Sequence, residues 1–131
     1  LSPTSSNQLP QSHDLPELIG RLALSKKAEN VLTIDVRGLT SITDYFVICS
    51  ADTEVQVKAI ADAIRKGTPH KPWRLEGLEH LHWVLLDYID VVVHIFKTSE
   101  RNYYQLERLW SDAPIREIVD ESETVSDSSF N

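Results

Sequence analysis

Three histidines and two aspartates crowd into one short stretch of the chain: His80, His82, Asp87, Asp90 and His94. A His-x-His pair on an extended segment can ligate a metal, and the other three groups follow on the next hairpin. No standard zinc spacing accompanies them, so solvated or surface-packed histidines are the simpler reading. Asp87 and His94 are expected on one face of adjoining strands, close enough to interact. A carboxylate–imidazole pair suits general acid–base work, but it is also an ordinary cross-strand polar pair. No nucleophile or cofactor cradle lies nearby. The single cysteine, Cys49, sits in an apolar strand pattern and reads as a buried thiol. The four glycines are scattered, with no phosphate loop, dinucleotide fingerprint or Gly-x-Ser-x-Gly elbow. No cofactor and no metal are expected.

The element that positions these groups runs from Trp83 to Phe96. β-Branched and aromatic residues dominate it, and it contains no glycine or proline. It is predicted to be a β-hairpin turning at Ile89-Asp90, with Tyr88 opposite Val91. Side chains alternate along a strand, so this register sorts two faces. Val84, Leu86, Tyr88, Val91, Val93 and Ile95 form an apolar face suited to packing under helices. Trp83, Leu85, Asp87, Val92, His94 and Phe96 form the other, which mixes large aromatics with ionisable groups. Such a mixture fits a protein interface. A helix laid over the face would bury it equally well, and patterning alone leaves both readings standing.

Around the hairpin, residues 1–13 are rich in Ser, Pro, Asn and Gln and are expected to be disordered. Asp14 with Glu17 suggests a capped helix with an apolar stripe of Leu15, Leu18, Ile19, Leu22 and Ala23. Val31 to Arg37 alternates as a half-buried strand, with Leu32, Ile34 and Val36 inward. Tyr45 to Ala51 reads as a central strand. Thr53 and Gln56 cap a helix with Val57, Ile60, Ala61 and Ile64 inward, and Gly67 is its expected C-terminal stop. A short strand is expected within Trp73–Leu78. After the hairpin, a helix from Glu100 to about Ser111 is expected to turn Tyr103, Leu106, Leu109 and Trp110 inward. The predicted order is α-β-β-α-β-β-β-α: an α/β (α+β) domain over 14–115 with a mixed sheet of about five strands. An acidic disordered tail is expected over 116–131.

The formal charge is −7 over 131 residues. Residues 14–114 hold 12 Lys and Arg against 15 Asp and Glu, and the remainder adds one Arg against five acids. This disfavours direct sequence-specific nucleic-acid binding. No apolar run approaches the roughly 18 residues a membrane span needs. The segment Leu1–Gln11 lacks the basic and apolar regions of a secretory signal. A trimmed or processed start is expected, since the chain has no methionine. One cysteine cannot form an intrachain disulfide, which fits a reducing compartment.

Three blocks resemble the ribosomal silencing factor family, also called Iojap: the run from Asp35 to Cys49, the run from Trp83 to His94, and Tyr104–Trp110 followed by Asp112-Ala-Pro114. The resemblance extends from about Leu15 to Ile115. The hairpin turn of the family usually reads Gly-Asp, whereas this chain has Ile89-Asp90. The resemblance implies a nucleotidyltransferase-like fold and a protein that binds the large ribosomal subunit through a ribosomal protein of the L-fourteen family. Bound there, it would block joining of the small subunit and repress translation under nutrient limitation. The site residues it implies are Trp83, Asp87 and His94, with Leu85 and Phe96 added from their facing. It implies a non-enzymatic protein in the cytoplasm, or in an organelle if eukaryotic. A homodimer through the same face is compatible with it. The alternative is a nucleotide-dependent transferase with a degenerate site. That superfamily uses a Gly-Ser element and paired carboxylates, yet Gly38 and Ser41 form no Gly-Ser pair and no Asp-x-Asp occurs.

Overall fold

The computed structural model describes the backbone of residues 14–104 and 106–120, and their side chains except at 102–107. The expected disordered segment 1–13 and residues 121–131 of the tail lie outside the described residues, as do the side chains of Tyr103 and Leu106. In chain order the elements are α1 (Leu15–Ser25), β1 (Glu29–Asp35), β2 (Tyr45–Ala51), α2 (Glu54–Gly67), β3 (Arg74–Glu76), β4 (Trp83–Asp87) and β5 (Val91–Lys97). They are followed by α3 (Thr98–Tyr104), α4 (Leu106–Leu109) and β6 (Ile115–Glu117). The strands form one mixed sheet in the order β3-β4-β5-β2-β1-β6. β2 and β5 pair in parallel at its centre, and the other pairings are antiparallel.

The hairpin takes the predicted register, with Trp83 opposite Phe96, Val84 opposite Ile95 and Leu86 opposite Val93. Its apolar face, Val84 to Ile95, lies in the main core with Ile19 and Ala23 of α1 and Val57, Ile60, Ala61 and Ile64 of α2. Full burial of each such aliphatic side chain is worth about 1.5–3 kcal/mol. The central pair is buried on both faces, which explains its near-continuous apolar composition.

Several local expectations are corrected. Asp14 makes no side-chain cap; Glu17 instead pairs with Arg21 and with Arg116 of β6. Thr53 does accept from the Gln56 N–H, but the Gln56 side chain reaches the carbonyls of Lys26 and Lys27 rather than closing a capping box. Gly67 ends α2 within the helix, where any Cβ would meet Leu22 of α1. The strand face that carries Ile34 and Val36 turns to a second core on the opposite side of the sheet rather than to the helices, and alternation sends Val31 to the helix-covered core instead. α3 starts at Thr98, two residues before the predicted start of the final helix, with the Thr98 hydroxyl donating to Asp52, and Leu109 of α4 is exposed. The ordered part also continues past 115. β6 pairs with β1 as a sixth strand, and Ile118 is buried against Gly20 of α1.

Candidate functional site

The sheet face that carries the second set of hairpin side chains divides in two. Over β1, β2 and β5 it is covered: Ile34, Val36, Ile48 and Phe96 form a second core with Ala113, backed by Phe46 and Trp110. Toward β4 and β3 the cover ends. Trp83, Leu85 and Asp87 are half-buried there, and Arg74 and Glu76 are exposed.

His94 sits where the two zones meet. It is 6 % exposed, with Phe46, Trp83 and Phe96 around its ring at centroid distances of 5.5, 5.7 and 6.0 Å. The Trp83 indole N–H donates to His94 Nδ1 at 2.9 Å. An acceptor at Nδ1 requires the other proton position, Nε2–H, in the neutral ring. Burial lowers the imidazole pKa to about 4, so it is neutral at physiological pH. Trp83 also packs on Phe96 at 4.8 Å. The indole is thus fixed by a hydrogen bond and a ring contact, and it stays half-buried.

Asp87 does not pair with His94. The register puts Leu85 opposite His94 and Val92 opposite Asp87, leaving Trp83 and Asp87 as the two diagonal neighbours of the imidazole. Trp83 takes the bond. Asp87 accepts from the Ile89 N–H at 2.8 Å inside the turn, with Arg74 at 3.9 Å. No acid–base dyad forms. Phe96 is fully buried, so of the five expected contact residues Trp83, Leu85 and Asp87 present surface, while His94 and Phe96 support Trp83.

A cleft of about 440 Å³ adjoins Trp83 and Leu85, flanked by Glu76, Glu79, Glu100, His80 and His82. The histidines have other partners: His80 Nδ1 accepts from the His82 N–H, and His82 Nε2 lies 3.2 Å from Glu54. Among the described residues, no three His, Cys, Asp or Glu side chains converge as a metal site would need. Cys49 is fully buried, and that burial pushes its thiol up to about 12, which leaves no thiolate. Two parts of the site were not foreseen from the sequence. Phe46 and Trp110, with rings 5.7 Å apart, extend the aromatic row. Arg101 is buried and donates to the Asn30 carbonyl and Ser50 Oγ, tying α3 to the sheet. The period-two alternation of Phe46, Ile48 and Ser50 was the available signal for the first.

A family model described as "Ribosomal silencing factor during starvation" matches residues 9–131. The chain belongs to the ribosomal silencing factor family. It is 43 % identical over 110 residues to the ribosomal silencing factor RsfS of Halalkalibacterium halodurans, covering 82 % of this chain and 94 % of that one. It is 42 % identical over 96 residues to RsfS of Bacillus subtilis, covering 71 % and 81 %. A crystal structure of a Bacillus halodurans protein superposes with a TM-score of 0.71 at 40 % identity, covering 81 % of this chain and 99 % of that one.

Proposed function

We propose that this ribosomal silencing factor family member represses translation by binding the large ribosomal subunit through a protein of the L-fourteen family. Bound there, it would keep the small subunit from joining. The observation that carries the reading is Trp83: a half-buried indole locked by His94 and Phe96 at the margin of the sheet's cover. A preorganised aromatic anchor beside Leu85 and Asp87 has the make-up of a binding hot spot. The carboxylates of Glu76, Glu79 and Glu100 around the neighbouring cleft suit a basic ribosomal-protein surface, where complementary charge speeds encounter. In this reading the protein is a binding module without catalytic groups, acting wherever its ribosomes are. A second copy of the chain would compete for the same face.

The test is titration of the isolated L-fourteen-family protein with wild type and Trp83→Ala. Loss of a hot spot weakens binding by about 2 kcal/mol or more, roughly thirtyfold. Equal affinities for two folded proteins would remove Trp83 from the interface.

A further inference from the structure

The tip of the β4–β5 hairpin combines strain with exposure. Ile89 has φ 76°. The Asp90 N–H donates to the Tyr88 carbonyl at 2.9 Å, closing a three-residue turn centred on Ile89. Turns of this kind with positive φ are rare and strained, and a β-branched residue is the least suited to that region. The fold enforces it from several sides. Asp87 accepts from the Ile89 N–H at 2.8 Å, and the Thr43 hydroxyl donates to the Ile89 carbonyl at 3.0 Å. The N–H groups of Asp44 and Tyr45 both donate to the Asp90 carbonyl. Glycine would take the same conformation without the steric cost. The isoleucine side chain gives the fold little in return, since Ile89 is 59 % exposed.

Ile89 is not isolated. β2 and β5 begin side by side, Tyr45 beside Val91, so the loop entering β2 lies at the same end of the sheet as the tip. That loop carries Ile42, 73 % exposed, and Leu39, 52 % exposed. The surrounding charge is acidic. Arg37 is paired with Asp35, and Arg74 with Glu76 and Asp87. Asp44 and Asp90 lie at this end of the sheet, with Arg37, already paired to Asp35, as the cation that Asp44 feels.

We infer that this tip, built on Ile89 and Ile42, is a second docking point for a basic polypeptide segment that presents an apolar side chain between lysines or arginines. The inference rests on the ribosome-binding reading and places the segment on the same large-subunit partner. Asp87 links the two contacts, because it borders Leu85 on the sheet face and holds the turn that displays Ile89. Strain kept at an exposed residue is accounted for by what that side chain does when bound.

The experiment measures melting temperature and affinity for isolated large subunits, by co-sedimentation, for wild type, Ile89→Gly, Ile89→Asn and Ile42→Ser. Both Ile89 variants adopt the positive φ at lower steric cost, and Ile89→Gly should melt about 5 °C higher. Both should nonetheless bind about tenfold more weakly, because neither carries the aliphatic side chain that the partner would bury. Ile42→Ser should weaken binding in the same direction with little change in melting. Variants that are more stable and bind as tightly as wild type would overturn the proposal while leaving Trp83 and the silencing reading intact. Wild type that fails to sediment with the subunit overturns both. Self-association of the free protein, abolished by Ile89→Gly with subunit binding unchanged, would assign the tip to a second copy and refute the basic segment.

Discussion

Lowering the pH from 7.5 to 5 should cost this domain about 2 kcal/mol through His94 alone. In the unfolded chain the imidazole titrates near 6.5, whereas in the fold burial lowers its pKa to about 4. The unfolded state therefore takes up its proton first as pH falls. The contribution of neutral His94 is fully present above about pH 6.5, declines as pH falls, and is lost by about pH 4. The gap of about 2.5 units at 1.36 kcal/mol each bounds the total near 3 kcal/mol, of which about 2 is lost by pH 5. Urea unfolding followed by circular dichroism at pH 7.5, 6.5, 5.5 and 5 measures it. His94→Gln is the reference, because it keeps a polar side chain beside Trp83 without titrating. Wild type should lose about 2 kcal/mol more than His94→Gln across that range. Equal slopes would show that His94 is solvated and titrates normally in the fold, and the locked-indole geometry would be wrong.

Gly77→Ala should destabilise the domain by about 2 kcal/mol or more on thermal melting, since φ is 95° there and a Cβ would run into the Trp83 carbonyl. Phe96→Ala should lose about 3–5 kcal/mol in denaturant titration, the cost of emptying a fully buried aromatic site. Cys49 should resist a thiol reagent in the native protein and react at once in denaturant; fast native labelling would contradict its burial. Mg²⁺ with nucleoside triphosphates should leave the melting temperature unchanged, and an upward shift would favour the transferase alternative.

The hairpin was legible because β-branched and aromatic residues run from Trp83 to Phe96 around the Ile89-Asp90 turn, and the register set by that turn gathers Val84, Leu86, Tyr88, Val91, Val93 and Ile95 on one wholly apolar face under the helices. The helix stripes on α1 and α2 were legible for the same reason at their own period. β6 was not, because Ile-Arg-Glu is short and exposed, and its pairing with β1 is set some eighty residues away. The two-sided core was only half visible. Ile34 and Val36 alternate correctly, but alternation alone does not say which of the two layers their shared face meets, and Ala113 and Trp110, which pack on that side, come from far along the chain. At the site, facing put Trp83 and Asp87 equally near His94. The choice between them depended on the Ile89 N–H, which claims the Asp87 carboxylate. Facing also could not tell that Phe96 would be sealed behind Trp83, because the residues covering it come from beyond the hairpin.

Steric silencing is tested most directly by subunit joining itself. Large subunits are preincubated with wild type or Trp83→Ala, small subunits are added, and joined ribosomes are resolved on a sucrose gradient. Wild type should deplete the joined peak and travel with the large subunit, while a folded Trp83→Ala leaves the joined peak intact. A full joined peak with wild type bound to it would contradict steric silencing, whichever face makes the contact.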